Sequence, residues 1–228
     1  MSILTLFVVI PLLMLLGLWL SKNLNQVRGV MVVGATALLA LSIWLTVYFI
    51  DQRASGNTAN MLLTYSVTWF EPLKIAYSVG VDGISVVMIL LSAIIVFTGT
   101  FASWQLKPLT KEYFLWFVLL SIGVFGFFIS TDMFTMFMFY EVALIPMYLL
   151  IGVWGTGPKE YSAMKLTLML MGGSALLILG ILGIYFFSGA QTMNVADLAQ
   201  LHAMPKSIQN IFLSLIHISE PTRLLSIS

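Results

Sequence analysis

The segment MFTMFMFYEVALIPMYLLIGVW, which runs from Met133 to Trp154, decides the fold of this chain. It carries one charged residue, Glu141, and as a helix it would extend roughly 33 Å at 1.5 Å per residue. That length crosses the hydrocarbon core of a bilayer, which is about 30 Å thick. The segment lacks the alternating pattern of a membrane barrel strand, and lipid cannot satisfy an open backbone, so it is predicted to be a transmembrane helix.

Five other segments have the same apolar character and a similar length: 3–20, 29–50, 81–104, 113–130 and 164–187. The whole chain is 60% hydrophobic and 8% charged, whereas a soluble domain typically has about 25% charged residues. This composition excludes a soluble globular domain. We therefore predict an all-α polytopic transmembrane helix bundle with six complete spans and the start of a seventh.

The remaining composition limits the possible ligands. The net charge of +1 gives no reason to expect a nucleic-acid partner, and the absence of cysteine excludes a disulfide or a thiolate metal site. The first apolar run has no basic residue before Ile3 and no small-residue cleavage motif, so a cleaved signal peptide is not expected. No metal-binding or cofactor-binding residues are predicted in this chain.

The basic residues between the spans predict the orientation in the membrane. The connections after the first, third and fifth spans carry six of them: Lys22, Arg28, Lys107, Lys111, Lys159 and Lys165. The opposite side carries three: Arg53, Lys74 and Lys206. Because basic loops stay on the cytoplasmic side, the N-terminus is predicted to be outside.

The long connection between the second and third spans contains a possible hairpin. Thr64–Trp69 and Leu73–Val79 are rich in β-branched and aromatic residues and flank Glu71–Pro72. This pattern is typical of a short hairpin, here on the outer face. An interfacial aromatic belt is the alternative interpretation, and it involves Trp69, Phe70 and Tyr77.

Glu141 is the charged residue that lies deepest in a predicted span. It is eight residues into the fifth span, roughly 12 Å from its end. A charge at that depth costs about 2.5–3.5 kcal/mol on insertion scales. Burial favours the protonated carboxyl and a nearby lysine favours the carboxylate, so such a group can load and release a proton. We predict proton transfer by Glu141; the alternative is a neutral carboxyl that only hydrogen-bonds to a neighbouring helix.

Four other residues are candidates for the same site or its support. Lys165 opens the sixth span, where it either relays protons or extends its ammonium group to the membrane surface. Pro146 removes a backbone hydrogen bond near the carbonyl of Val142, which either admits water beside Glu141 or only kinks the helix. Asp82 and Asp132 stand at span ends, where aspartate usually caps a helix.

A short stretch of small residues in the sixth span, Gly172-Gly173-Ser174, is typical of close helix packing rather than of a binding site.

Several of these motifs together resemble one family. Val81-Asp82-Gly83-Ile84-Ser85, the Glu-(x4)-Pro-Met-Tyr motif within residues 137–148, Ala163-Met164-Lys165 and Gly173-Ser174 resemble chain M, or subunit 4, of the proton-pumping NADH–quinone oxidoreductase of respiratory complex I. The resemblance covers residues 1–212 and is strongest between 80 and 180. It departs from the family after Lys165, where Met169 and Leu170 replace the aromatic and hydroxyl residues that the family often has.

The resemblance implies a function as well as a fold. It matches Glu141 to an essential membrane glutamate, Lys165 to a lysine at the start of the sixth helix, and Asp82 to the entry of the third. The family fold has fourteen helices, with two inverted five-helix repeats and two broken helices that carry further lysines. The implied function is proton translocation driven by quinone reduction elsewhere in the complex. NADH, FMN, iron–sulfur clusters and quinone would be bound by other subunits. The expected partners are other membrane subunits, lipid and protons, and the expected location is a bacterial inner membrane.

The C-terminal residues 213–228 do not continue the family pattern. One codon choice for residues 213–223, LSLIHISEPTR, resembles a transposon-end adapter used in sequencing libraries, so we interpret 213–228 as a non-native tail. A divergent native tail is the alternative. Residues 1–212 would then be the N-terminal part of an antiporter-like membrane subunit.

Two other functions stay open. The same motifs occur in multisubunit Na⁺/H⁺ antiporters and in membrane-bound hydrogenases. A structural membrane subunit without an ion path belongs to a different class, and the position of Glu141 argues against it.

Overall fold

The computed structural model describes residues 2–57, 59–71, 74–104, 106, 110–187 and 192–198. Six helices in this part of the chain are long and apolar enough to cross a membrane. A 3-10 turn at Ile3–Thr5 leads into the first of them, and they are α1 (Leu6–Leu20), α2 (Leu24–Ala54), α3 (Gly83–Ala102), α4 (Thr110–Ile129), α5 (Met133–Trp154) and α6 (Lys159–Phe187). A short α7 follows at Val195–Leu198. The six predicted spans are confirmed, whereas the start of the seventh, the tail, Lys107 and Lys206 lie outside the described residues.

Two helices are longer than the apolar pattern predicts. Helix α2 starts at Leu24 rather than at 29, and α6 starts at Lys159 rather than at 164. At the start of α2, Gln26 Oε1 accepts hydrogen bonds from the backbone N–H groups of Lys22 (3.1 Å) and Asn23 (3.4 Å). Polar first turns of this kind extend a helix beyond the hydrocarbon core, so hydropathy alone underestimates its length.

Helix α4 lies at the centre of the bundle, where it packs against α1, α3 and α5. The main core joins α1–α4, and in it the rings of Phe7 and Phe125 lie 5.5 Å apart. A second, smaller cluster joins α5 to the distal half of α6 through Phe137, Ile181 and Tyr185. Large apolar side chains such as Trp19, Val33 and Ile84 point outward and are exposed, the arrangement that a lipid solvent favours.

A two-stranded antiparallel hairpin connects α2 to α3. It consists of β1 (Leu62–Phe70) and β2 (Ile75–Val81), so the predicted hairpin is confirmed, with its second strand starting two residues later than expected. Tyr77 packs against the main core, whereas Trp69 and Phe70 are exposed on β1. The aromatic belt therefore remains an interpretation for Trp69 and Phe70 alone.

The short connection between α4 and α5 extends this hairpin. The backbone N–H of Thr131 donates to the carbonyl of Ser78 in β2 (2.9 Å). On its other side, Met133 N–H donates to Met193 O (2.9 Å) and Val195 N–H donates to Thr131 O (3.0 Å). The end of the bundle that carries the hairpin is thus held together by three chain segments that are distant in sequence.

Asp132 ties this connection to both α5 and β2. Its side chain is almost completely buried, and Oδ1 accepts the N–H of Thr135 (2.9 Å), which makes it the N-cap of α5. Oδ2 accepts the N–H of Ala76 (3.5 Å), and the Thr135 hydroxyl donates to the Ala76 carbonyl (2.9 Å). The predicted cap is confirmed, and the bond to the hairpin was not anticipated.

Replacing Asp132 by Ala is expected to destabilise this end of the bundle. The change removes a helix cap and leaves the buried N–H of Ala76 without its acceptor, a loss of about 1–3 kcal/mol. Thermal unfolding in detergent measures the loss, and Asp51→Ala on an exposed turn of α2 is the control. Equal melting temperatures for the two variants would contradict this role of Asp132.

Basic residues at the opposite end cap the C-termini of neighbouring helices. The Arg28 guanidinium donates to Trp104 O (2.7 Å) after α3 and lies 5.0 Å from the centre of the Trp104 ring. Lys111 Nζ donates to Ser21 O (2.7 Å) after α1, and Lys159 Nζ donates to Val153 O (2.7 Å) in α5. A cation at a helix C-terminus satisfies free carbonyls and offsets the negative end of the helix dipole. These three residues therefore have a structural role besides their contribution to the predicted orientation.

Candidate functional site

Glu141 lies near the middle of α5. It is eight residues from Met133, roughly 12 Å along the helix axis. The residue is half-buried, and within the described residues its Oε1 atom is buried and has no hydrogen-bond partner. Because buried polar atoms in proteins are nearly always hydrogen-bonded, this carboxyl oxygen needs an explanation.

Helix α4 presses against the side of α5 that lies opposite Glu141. A Cβ on Gly123 would be 2.7 Å from Ala143 Cβ and 2.9 Å from both Phe139 O and Ala143 N. Gly126 lies directly against the Phe139 ring, with which an added Cβ would clash. Because successive helical residues turn by about 100°, Glu141 points away from this contact. The two glycines thus allow α4 to pack closely against the face of α5 that lies opposite Glu141.

Helix α6 packs along the side of α5 that Glu141 shares. A Cβ on Gly152 of α5 would lie 3.6 Å from Ala163 Cβ of α6. Glu141 is eleven residues before Gly152, and eleven residues make just over three full turns, so both project from the same face of α5. The contact between α5 and α6 that contains these residues is called the α5–α6 seam below. Helical spacing therefore places Glu141 on the same side of α5 as the seam.

Pro146 lies inside α5 and does not end it, because the helix continues to Trp154. Proline has no N–H group, so the Val142 carbonyl loses its usual intrahelical donor. That carbonyl belongs to the residue next to Glu141.

Lys165 is not brought to Glu141. It is exposed on α6, with Nζ 5.8 Å from the centre of the Tyr161 ring. Two residues after Ala163, it projects about 160° away from the seam. Counted from the Gly152–Ala163 contact, it is also roughly 13 Å from Glu141 along the helix axis. A direct contact between the two side chains is therefore not present in the described structure.

Asp82 has a structural position. It follows β2 and is the N-cap of α3, where its Oδ1 accepts the N–H of Ser85 (2.7 Å).

The close packing expected at Gly172 and Gly173 is not found within the described residues, where an added Cβ at either position meets nothing within 4 Å. Instead, the close approach occurs at Gly123 and Gly126 of α4. Two glycines about one turn apart inside a span are the sequence signal for such a close approach.

Two cavities among the described residues lie away from Glu141. The described residues contain no group of three or more His, Asp or Glu side chains that could hold a metal ion. A cavity of about 190 Å³ lies at the hairpin end, where polar side chains such as Ser66, Ser78 and Asn194 line it. Another, of about 140 Å³, lies between α3 and α4. Neither is lined by Glu141 or Lys165.

Residues 130–219 match a family described as NADH:quinone oxidoreductase/Mrp antiporter, transmembrane. Among curated relatives, chain 4 of the NAD(P)H-quinone oxidoreductase of Prochlorococcus marinus is 34% identical over 153 residues, which are 65% of this chain and 29% of the relative. Subunit M of the NADH-quinone oxidoreductase of Rickettsia typhi is 30% identical over 167 residues, which are 72% of this chain and 33% of the relative. The chain thus spans about a third of the length of these relatives.

Solved structures show the same fold. A chain of respiratory complex I from Thermus thermophilus has a TM-score of 0.76 and 20% identity, and the match covers 93% of this chain and 42% of that one. A chain of the Mrp complex from Dietzia has a TM-score of 0.72 and 16% identity, with 95% and 23% covered. Together with six helices of membrane-spanning length, these matches identify an integral membrane protein.

Proposed function

Because this chain is similar to chain 4 and subunit M of NADH–quinone oxidoreductases and residues 130–219 match the antiporter-like family, we propose that it is a proton-translocating membrane subunit of such a complex. Its function is to couple quinone reduction in other subunits to proton transfer across the membrane. The observation that carries the proposal is Glu141, a carboxyl in a helix of membrane-spanning length whose buried oxygen has no hydrogen-bond partner among the described residues. Loss of proton uptake on replacing Glu141 by Gln tests it.

In this proposal Glu141 binds and releases the transferred proton. Lys165 acts between Glu141 and the basic end of the bundle, since it lies nearer to that end on α6. The separation of roughly 13 Å along the helix axis requires at least one intervening group or water. Water beside Glu141 is supported by the Val142 carbonyl, which Pro146 leaves without its helical donor.

The proposal assigns no redox chemistry to this chain. NADH, FMN, iron–sulfur clusters and quinone are bound by other subunits of the complex. Further membrane subunits are the partners, because the similar solved structures are chains of multi-subunit membrane complexes. The proposed location is a bacterial inner membrane with the N-terminus outside, and the excess of basic residues at the Arg28, Lys111 and Lys159 end supports that orientation.

Cysteine labelling tests the orientation. Cysteines introduced at Gln26 and Gly157 are expected to react with an impermeant reagent only from the cytoplasmic side, because both positions lie at the basic end. A cysteine at Gly56, at the hairpin end, is expected to react only from outside. The labelling is measured in sealed vesicles of both orientations. The reverse labelling pattern would refute the proposed topology of the protein.

A multisubunit Na⁺/H⁺ antiporter or a membrane-bound hydrogenase is the second candidate. The matched family includes the Mrp antiporter, and the Mrp complex shares the fold. Sodium-dependent proton exchange without NADH oxidation would favour the antiporter.

We also propose that residues 213–228 are not native. The native gene sequence past residue 212 tests this proposal. Separately, the genes that neighbour this gene distinguish an oxidoreductase operon from an antiporter operon.

A further inference from the structure

The α5–α6 seam places Ser174 at the level of Glu141. The two helices are antiparallel and meet at Gly152 and Ala163, whose Cβ positions are 3.6 Å apart. Glu141 lies eleven residues before Gly152, and Ser174 lies eleven residues after Ala163. Eleven residues correspond to roughly 16.5 Å and just over three complete turns on each helix. Both side chains therefore return to the seam at the same depth.

The two helices are also packed together beyond this level. Phe137 is four residues before Glu141, and Ile178 is four residues after Ser174. Phe137 belongs to the hydrophobic cluster that also contains Ile181 and Tyr185, and Ile178 packs against that cluster. The helices therefore stay packed on both sides of the Glu141–Ser174 level.

The burial of α6 agrees with this placement. Its buried residues are Ala163, Ser174, Ile181 and Tyr185, which are spaced by eleven, seven and four positions and so form one stripe. Ser174 is 8% exposed, whereas the neighbouring Gly172 and Gly173 do not lie on that stripe. The hydroxyl of Ser174 donates to Met171 O at 3.0 Å, within its own helix.

Few other polar groups face Glu141 in the described structure. On α6, residues 166–184 contain no titratable or charged side chain, and Thr167 is two turns away from Ser174. On α4, residues 114–129 contain none either, and Gly123 lies at the level of Glu141. Tyr140 is adjacent on α5 but projects about 100° away from Glu141. Among the described residues of α4 and α6, Ser174 is thus the side-chain hydrogen-bond donor that helical spacing places at the level of Glu141 and on its face.

We propose that Ser174 is a positioning residue for Glu141. This inference rests on the proposed function of Glu141 as a proton carrier. When Glu141 is ionised, the Ser174 hydroxyl turns from Met171 O to donate a hydrogen bond to the Glu141 carboxylate. When Glu141 is protonated, the hydroxyl returns to Met171 O. A serine hydroxyl has one proton and rotates freely, so both states are available to it. The bond stabilises the carboxylate, which is the state that accepts the next proton.

The test uses Ser174→Ala and Ser174→Thr in the intact complex. Ser174→Ala is expected to lower proton uptake roughly ten-fold at equal complex content, because a hydrogen bond to a charged group is lost. Ser174→Thr retains the hydroxyl and is expected to restore most of the uptake. Ser174→Cys keeps the size but is a weak donor, and it is expected to behave like Ala.

A second readout separates this role from simple packing. Carbodiimides modify protonated carboxyls within membranes, and Glu141 is expected to be modified several-fold faster in Ser174→Ala, because its carboxylate has lost a stabilising donor. Ser121→Ala is the matched control. Ser121 is buried in α4 and donates to Val118 O (2.7 Å), but it lines the groove towards α3. It is expected to leave both the uptake and the modification rate unchanged.

The outcomes distinguish this inference from the proposed function. If Glu141→Gln abolishes uptake while Ser174→Ala changes neither uptake nor modification of Glu141, the role of Ser174 is wrong and the role of Glu141 stands. Equal losses in Ser174→Ala and Ser121→Ala, or the same loss in Ser174→Thr, also overturn the positioning role. If Glu141→Gln itself pumps normally, the proposed function is wrong, and the role of Ser174 fails with it.

Discussion

Replacing Glu141 by Gln is expected to reduce the coupled oxidation of NADH roughly 100-fold while the complex still assembles. Gln keeps the shape and the hydrogen-bonding capacity of Glu but has no titratable proton, so it separates charge from packing. Because proton transfer and electron transfer are coupled in such a complex, a blocked proton step is expected to slow electron transfer as well. The rate of NADH oxidation in membranes measures the effect, and native gels measure the amount of complex.

Two further variants test whether that loss is caused by removal of the titratable proton. Glu141→Asp is expected to retain part of the rate, because a shorter carboxyl still titrates. Glu160→Gln changes an exposed glutamate in the first turn of α6 and is expected to be silent. A purely structural Glu141 predicts the opposite series, in which Gln is nearly silent because an amide costs less to bury than a carboxylate.

Replacing Gly123 by Leu is expected to prevent stable assembly. Even the first carbon of the new side chain would lie 2.9 Å from Phe139 O and Ala143 N, which are backbone atoms that cannot move without displacing α5. Overpacking of this kind costs about 1–3 kcal/mol or more, and here it displaces the helical turn that carries Glu141. The amount of assembled complex and its melting temperature measure the effect.

Gly29→Ala is the control for that substitution. Gly29 lies in α2, where an added Cβ meets nothing within 4 Å among the described residues. An exposed Gly-to-Ala change within a helix is expected to be neutral or stabilising by up to about 1 kcal/mol. If Gly123→Leu assembled as well as Gly29→Ala, the close contact between α4 and α5 would not be needed to hold Glu141.

Hydropathy predicted the six helices correctly because a membrane span must be apolar over nearly its whole length. It did not predict their ends, since the first turns of α2 and α6 are polar and lie beyond the apolar core. The hairpin was predicted from its β-branched and aromatic residues. Its attachment to Asp132 was not, because that contact joins residues 56 positions apart.

Sequence alone singled out Glu141 but not its surroundings. A single charge in an apolar span is visible in the sequence, whereas the faces that α5 turns to α4 and α6 depend on contacts between helices. For the same reason, Gly172, Gly173 and Ser174 were expected to act together in close packing. The structure separates them, because Ser174 alone lies on the buried stripe of α6. Lys165 was grouped with Glu141, but its helical position directs it away from the seam.

Proton uptake by sealed vesicles that carry the Glu141→Gln complex tests the central claim most directly. Uptake driven by NADH is measured with a pH-sensitive dye and divided by the amount of assembled complex. If Glu141 carries the proton, uptake in the Gln variant falls to the level of vesicles without the complex. Uptake equal to that of the wild type at equal complex content would show that Glu141 is not a proton carrier.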